Sequence, residues 1–323
     1  MIVVGDIGGT NARFATINQN DPISFSSLKK VRKFECYDFK NFDAAINKYL
    51  NQFNINPSTI SLAVAGPVDG NIINFTNNKW KFSKSKFKIK FNLSDMLTIN
   101  DFVAQAIVIP HLTSNHKTLL RNGSSIKNTP IIALGPGTGL GFSGLLPTEN
   151  DWRPLETEGG NTILSTNSKL EEEIREWLKD KENPVIFETV LSGRGLENIY
   201  EFLIHKHKFS KKLLTAKEIA ETALTGSNFS IKAIKIFFNF LGSFIANCIL
   251  TTGARNSVYI AGGMVPKIIK FLGESEFYHR VSEHGRYSDY IGKVPIYLSS
   301  NPNAGLLGAR AALNNNNLKH RLI

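Results

Sequence analysis

Three glycine-rich turns, each directly after an apolar stretch of strand-forming residues, constrain the fold of this chain more than any other feature. They are Gly5 to Thr10, Gly135 to Gly141 and the pair Gly262–Gly263. Glycine lets backbone N–H groups close around an anion and tolerates positive φ angles. A single turn of this kind is usually structural, but three of them after buried strands indicate a nucleotide site in an α/β protein.

The kind of nucleotide site can be narrowed by exclusion. The chain has no G-x-x-x-x-G-K-[ST] pattern, so it is not a P-loop protein. A G-x-G-x-x-G pattern does occur at Gly139, Gly141 and Gly144, but the following residues continue as a strand to Pro147. A dinucleotide fingerprint must open a helix, so we exclude this one.

Asp6 lies inside the first turn, where a carboxylate repels a phosphate unless a divalent cation lies between them. Mg²⁺ prefers one or two protein carboxylates together with waters and phosphate oxygens. Thr10 and Asn11 add hydrogen-bond donors at the same turn. The alternative is that Asp6 only shapes the hairpin; because two more glycine turns are present, we predict that Asp6 faces Mg²⁺.

Four polar residues on three predicted loops are suited to a small polyhydroxylated ligand. Asn100 and Asp101 lie at a strand-to-helix junction, where an aspartate is either a helix cap or a catalytic base. Glu158 precedes two glycines, and Glu188 precedes another loop. Carboxylates accept hydrogen bonds from vicinal hydroxyls, and an aspartate can take the proton of a hydroxyl nucleophile.

The order of predicted elements favours two similar α/β halves, and a length of 323 residues suits two domains. The apolar tract Ile236 to Gly253 is interrupted by polar residues, so it predicts a buried helix rather than a membrane span. Lysines alternate with apolar residues over Trp80 to Phe91, which predicts a strand with one solvated face. The last helix is predicted to dissolve into a polar tail rich in asparagine.

Composition excludes several classes of function. The formal net charge of +11 suggests nucleic-acid binding, but the basic residues are dispersed, so we favour non-specific basicity. Cys36 and Cys248 are far apart, which indicates a reducing compartment and excludes a disulfide framework and a cysteine-rich zinc site. The chain starts in its first predicted strand, so we expect a cytoplasmic protein without a membrane partner.

Several motifs, in order from Val4 to about Leu313, together resemble the bacterial-type ATP-dependent glucokinase family. The resemblance implies the hexokinase–actin–chaperone ATPase fold, in which two RNase H-like α/β domains enclose a central cleft. It implies a small domain of residues 1–110 plus 302–323 and a large domain of residues 111–301. The motifs are GDIGGTNARF, AVAGPV, TNNKW, INDFVAQA, GPGTGLG, EGG, VLSGRGL, VYIAGGMVP and NPNAGLLGARAAL.

The same resemblance implies a function: transfer of the ATP γ-phosphoryl group to the 6-hydroxyl of D-glucose by a homodimer that does not bind nucleic acid. It makes Asp101 the general base and Asp6 the residue that faces Mg²⁺. The implied sugar ligands are Asn77, Asn100, Asp101, Glu158, Asn161 and Glu188. The implied ATP-binding residues are Gly5, Asp6, Ile7, Gly8, Gly9, Thr10, Asn11, Gly135, Gly137, Thr138, Gly139, Gly262 and Gly263.

One departure leaves alternatives open. The family motif is EGGH, whereas this chain has EGGN, with Asn161 where a histidine contacts the sugar. A kinase of another hexose or of a broader set, such as mannose and glucosamine, is therefore the nearest alternative. A non-catalytic ATP-binding protein of the actin type is the more distant one, although that class lacks the set of sugar ligands.

Overall fold

The computed structural model describes residues 1–75, 79–208 and 212–323. They form two compact units of mixed α/β structure, in agreement with the predicted α/β class and the prediction of two domains. The first unit comprises Met1–His116, Ser143–Glu156 and Asn301–Ile323, and the second comprises Lys117–Phe142 and Thr157–Ser300. The predicted domain boundaries stay a prediction.

Runs of strands and runs of helices follow one another along the described chain. The strands are β1 (Ile2–Ile7), β2 (Asn11–Ile17), β3 (Lys29–Glu35), β4 (Thr59–Val64), β5 (Ile72–Asn74), β6 (Lys81–Ser83), β7 (Asp95–Asn100), β8 (Lys117–Arg121), β9 (Ile131–Pro136), β10 (Leu140–Pro147), β11 (Trp152–Leu155), β12 (Ser257–Ile260) and β13 (Ile296–Ser299). The α-helices are α1 (Phe42–Gln52), α2 (Lys84–Lys90), α3 (Asp101–Ile107), α4 (Lys169–Leu178), α5 (Gly193–Lys206), α6 (Ala216–Leu224), α7 (Asn228–Thr252), α8 (Val265–Ile268), α9 (Phe277–Ser282), α10 (Ser288–Gly292) and α11 (Ala304–Ala312).

The main sheet of the first unit has the strand order β3-β2-β1-β4-β7. Strand β1 runs antiparallel to β2 and parallel to β4, which is in turn parallel to β7. Their register aligns Ile7, Val64 and Asn100 at one edge. Neighbouring strands are roughly 4.8 Å apart, so the first glycine turn and the start of α3 lie about 10 Å from each other along this edge.

The predicted strand over Trp80 to Phe91 is wrong beyond its first residues, because most of this segment forms α2. Ser83 caps the helix with its side chain. Phe87 and Phe91 are four residues apart, and their tilted rings pack with centroids separated by 4.5 Å, whereas Ile89 is 80% exposed. The alternation of lysines and apolar residues is real, but the serine cap and this aromatic pair favour the helical period.

The C-terminal segment packs into the first unit instead of forming a loose polar tail, so that prediction is wrong. Ser61 on β4 donates a hydrogen bond to the carbonyl oxygen of Ala309 in α11 at 2.6 Å. Asn315 donates to the carbonyl oxygen of Trp152 at 2.7 Å. Ile323 and Met96 exchange two backbone hydrogen bonds of 3.0 Å. The asparagine amides satisfy backbone groups, which a composition argument cannot foresee.

In the second unit, β9, β12 and β13 are parallel, and β8 runs antiparallel to β13. Leu134 on β9 pairs with Ile260 on β12, so the second and third glycine turns follow neighbouring strands. The residues after Gly139 continue as β10 to Pro147. The exclusion of a dinucleotide fingerprint is therefore confirmed.

Helix α7 is the core helix predicted for the apolar tract, and it ends at Gly253, whose φ of 68° is left-handed. Among the described helices it is the one long and apolar enough to cross a membrane by length and composition. Within the protein, 78% of its apolar stretch is buried. This burial is typical of the core helix of a folded domain.

Candidate active site

The predicted site residues fall in both units. The first unit holds the first glycine turn together with Asn100 and Asp101, and Asn77 lies outside the described residues. The second unit holds the second and third glycine turns together with Glu158, Asn161 and Glu188.

In the first turn, Asp6 lies directly opposite Arg13 in the pairing of β1 with β2. Arg13 Nη1 is 3.4 Å from Asp6 Oδ2, and the Asp6 side chain is only 14% exposed. Burial raises the pKa of Asp6, while the positive charge of Arg13 opposes that rise. The carboxylate therefore has one cationic neighbour at the limit of hydrogen-bond distance, which leaves it able to accept further donors or a cation.

The start of α11 closes around the same carboxylate. A β-carbon added at Gly305 would lie 2.6 Å from the carboxyl carbon of Asp6, so a side chain there would displace the Asp6 carboxylate. Among the described residues there is no group of three or more side chains suited to bind a metal. A metal ion that arrives with a nucleotide needs only one or two protein carboxylates, so Asp6 fits Mg²⁺ bound in that way.

The sequence left open whether the aspartate at the junction of β7 and α3 is a helix cap or a catalytic base, and the structure assigns the cap to Asn100. Asn100 Oδ1 accepts hydrogen bonds from the backbone N–H groups of Phe102 at 2.8 Å and Val103 at 3.4 Å, so Asn100 caps α3. Asp101 is the first residue of the helix and accepts from Phe102 N at 2.9 Å. Because the Asn100 side chain caps α3, the Asp101 carboxylate is not needed as the cap.

The second glycine turn is held by contacts on two sides. Gly137 N donates to Gly139 O at 2.7 Å, which closes the turn, and Gly193 N at the start of α5 donates to Gly137 O at 2.8 Å. Leu140 N donates to Glu188 Oε2 at 2.7 Å. The turn is thus attached through Gly137 to the first residue of α5 and through Leu140 to Glu188.

Glu158 and Glu188 come together beside this turn. A β-carbon at Gly160 would lie 2.0 Å from Leu140 O, so the two glycines after Glu158 bring their segment against the start of β10. Although Glu158 is exposed as a residue, partial desolvation of its carboxylate raises its pKa, and the negative charge of Glu188 adds to the rise. Two neighbouring carboxylates of this kind can accept hydrogen bonds from vicinal hydroxyls.

Asn161 follows these glycines in a single turn of 3₁₀-helix. Its N–H donates to the carbonyl oxygen of Glu158 at 3.0 Å, and the residue is exposed. Its side chain makes no hydrogen bond within the part of the chain that the structure describes. The amide is therefore available next to the two carboxylates.

Sequence reasoning missed three groups that shape the site. Arg13 could have been found, since a tight turn between β1 and β2 sets it opposite Asp6. The backbone N–H of Leu140 and the close approach of Gly305 depend on packing between distant segments, which no local pattern shows.

Comparison with known proteins identifies relatives over almost the whole chain. A family model described as Glucokinase matches residues 3–316. A glucokinase of Colwellia psychrerythraea is 37% identical and covers 97% of this chain and 96% of the relative. The crystal structure of a glucokinase from an Antarctic psychrotroph is 34% identical, with a TM-score of 0.84 over 97% of this chain and 98% of that one.

A more distant structure agrees in fold. The glucokinase of Balamuthia mandrillaris, solved in complex with glucose, is 21% identical, with a TM-score of 0.79 over 95% of this chain and 92% of that one. These similarities confirm the predicted class, an actin-like ATPase fold of two α/β domains.

Proposed function

Because the chain belongs to the glucokinase family, we propose that it transfers the γ-phosphoryl group of ATP to the 6-hydroxyl of D-glucose and releases glucose 6-phosphate and ADP. The family match over residues 3–316 carries this proposal. Phosphoryl transfer depends mainly on positioning the two substrates and neutralising charge on the transferred group. The glycine turns and the polar side chains beside them are suited to both tasks.

Asp101 is the proposed general base, which takes the proton of the sugar 6-hydroxyl as that oxygen attacks the γ-phosphorus. Its position supports this role, since it follows β7 at the edge where β1 and β4 also end. The capping role that competes with catalysis is filled by Asn100.

The proposed sugar ligands offer both donors and acceptors. The Asn100 amide nitrogen donates to Gly66 O at 3.4 Å, a weak contact that a sugar hydroxyl can replace. Glu158 and Glu188 offer carboxylate oxygens, and Asn161 offers an amide. Asn77 is proposed from the family motif alone.

ATP is proposed to lie against the three glycine turns, with Mg²⁺ on Asp6. The ion would supply positive charge against the phosphate oxygens. The proposed contacts are Gly5, Asp6, Ile7, Gly8, Gly9, Thr10 and Asn11 in the first turn, Gly135, Gly137, Thr138 and Gly139 in the second, and Gly262 and Gly263 in the third.

A broader hexose kinase is the second candidate, and Asn161 is the observation that favours it. The residue occupies the position of the motif histidine and leaves its side chain exposed. A shorter side chain leaves more space near the sugar, which would admit hexoses altered at carbon 2.

The test uses the purified full chain with ATP, Mg²⁺ and a panel of hexoses, with ADP release as the signal. Glucose-dependent ADP release, with the product oxidised by glucose-6-phosphate dehydrogenase, supports the first proposal. Equal rates with mannose or glucosamine support the second. Binding of ATP without hexose-dependent ADP release would instead indicate a non-catalytic ATP-binding protein.

The remaining proposals concern the domain boundaries, the cellular location and the oligomeric state. We propose residues 1–110 with 302–323 as the small domain and residues 111–301 as the large one. We also propose a cytoplasmic enzyme, since two cysteines far apart in the sequence are typical of a reducing compartment. Family resemblance supports a homodimer, which light scattering on the eluate of a sizing column would detect.

A further inference from the structure

Glu188 touches the second glycine turn at two points. Its Oε2 accepts the hydrogen bond from Leu140 N at 2.7 Å. A β-carbon at Gly139 would lie 2.5 Å from the same oxygen, so the carboxylate fills the place where a side chain would begin. A contact this close means that the position of the carboxylate and the path of the turn depend on each other.

The carbonyl group of Leu140 is also held in place. Leu140 O faces the α-carbon of Gly160, where a β-carbon would approach to 2.0 Å. The end of the turn is therefore confined between Glu188 and the segment that follows Glu158. Glu188 Oε1 makes no hydrogen bond with any residue that the structure describes, so it remains available to a ligand.

We propose that Glu188 is a positioning residue for the turn that binds the ATP phosphates, in addition to being a sugar ligand. This inference rests on the proposed function and deepens it, because one carboxylate then serves both substrates. Oε2 holds the turn, while Oε1 accepts a sugar hydroxyl.

This role resolves an electrostatic conflict. A carboxylate beside a phosphate site repels the nucleotide, and Glu188, unlike Asp6, has no ion pair with a described cation. A neutral side chain would avoid the repulsion, but a glutamate makes a charge-assisted hydrogen bond to the turn, which is stronger than a neutral one. Glu188 therefore stabilises the conformation of the turn, while its negative charge lowers the affinity for phosphate.

The test measures the Kd of the non-hydrolysable analogue AMPPNP with Mg²⁺ and without sugar, for wild type, Glu188→Ala, Glu188→Gln and Glu149→Ala. Glu188→Ala should weaken binding about five- to tenfold, the effect of one lost hydrogen bond. Glu188→Gln should bind at least as tightly as wild type, because its amide oxygen still accepts from Leu140 N and its charge is gone. Glu149→Ala, at an exposed glutamate outside the turn, is the matched control and should leave the Kd unchanged.

The proposal is overturned if Glu188→Ala binds AMPPNP as wild type does, or if Glu188→Ala and Glu149→Ala weaken binding equally. If Glu188→Ala does not fold, Gly139→Ala reaches the same contact from the turn and should weaken binding by a similar factor; unchanged binding there also overturns it. Wild-type ADP release with glucose is measured on the same sample. If the wild type binds AMPPNP but phosphorylates no hexose, the proposed function is wrong. The comparison of the variants still decides whether Glu188 positions the turn.

Discussion

The first and second glycine turns share one sequence pattern, an apolar strand running into glycines, yet they hold their carboxylates in opposite ways. Asp6 is largely buried, faces Arg13 and lies against Gly305. Glu188 has no described cationic partner and instead accepts from a backbone N–H beside a second carboxylate. The same local pattern therefore builds two different electrostatic environments.

The difference assigns different ligands to the two turns. A carboxylate with one long contact to a cation is suited to sharing its negative charge with a metal ion. A pair of neighbouring carboxylates repel each other and gain most from neutral donors such as hydroxyl groups. Glycine turns thus indicate where phosphates are expected, but the partners of the carboxylates decide what else binds there.

The largest expected effect concerns proton transfer, which is proposed to depend on Asp101 and not on a residue of either glycine turn. Asp101→Asn keeps the shape and some hydrogen bonding but removes the proton acceptor, so kcat should fall by about 10²–10⁴-fold. The Kd for the hexose should change much less, because neither turn is disturbed. Steady-state kinetics and equilibrium binding check this, with Asp95→Asn at the exposed start of β7 as the matched control. Near-normal turnover in Asp101→Asn would remove Asp101 from catalysis.

The next prediction tests whether only the first turn is coupled to the metal. Asp6→Asn should lower turnover by about 10²-fold, the effect of one lost electrostatic contact in a transition state. It should also raise the Mg²⁺ concentration required for half-maximal rate, whereas Glu188→Gln should not. Titration of Mg²⁺ at fixed ATP gives both values. An Asp6→Asn protein that melts early but keeps the wild-type Mg²⁺ requirement would show that Asp6 only shapes the hairpin.

The part of each turn that the sequence could predict is the part set by neighbouring residues. Strands β1 and β2, the strand-to-helix junction at Asn100 and the end of α7 at Gly253 follow from local periods, caps and glycine. The contact between Leu140 and Glu188 joins residues 48 positions apart, so it depends on how two loops pack. Local patterns located both turns without revealing the environment of either carboxylate.

Errors in the predicted fold have the same origin. The alternation over Trp80 to Phe91 suggested a strand, but Phe87 packs into an aromatic core, stacking on Phe42 with ring centroids 5.4 Å apart. The composition of the asparagine-rich C-terminus predicted a polar tail, yet the Asn315 side chain donates to the carbonyl oxygen of Trp152. In both cases tertiary contacts override a local signal.

A smaller effect, on the pH dependence of hexose binding, is expected from Glu158 and Glu188 beside the second turn. The pKa of Glu158 is raised by partial desolvation and by the charge of Glu188. As pH falls through this raised pKa, Glu158 gains a proton and loses acceptor capacity, so the hexose Kd should rise by about tenfold from its level at higher pH. Glu158→Gln should flatten this part of the profile, and the exposed Glu149→Gln should not. A wild-type Kd that stays constant down to the pKa of an ordinary glutamate would contradict this.

The smallest expected effect concerns sugar specificity. The residue involved, Asn161, lies beside the second turn and not beside the first. Asn161 bonds through its backbone to Glu158, so a substitution changes the side chain without removing the turn. Asn161→His restores the motif residue, fills the space near carbon 2 of the sugar and can add one neutral hydrogen bond. Such a bond contributes ~0.5–1.5 kcal/mol, a few-fold to tenfold in affinity. Glucose should therefore bind more tightly, with mannose and glucosamine used less well than by wild type, as KM values for each hexose would show. The explanation fails if the variant binds glucose no better and the wild type already rejects every hexose altered at carbon 2.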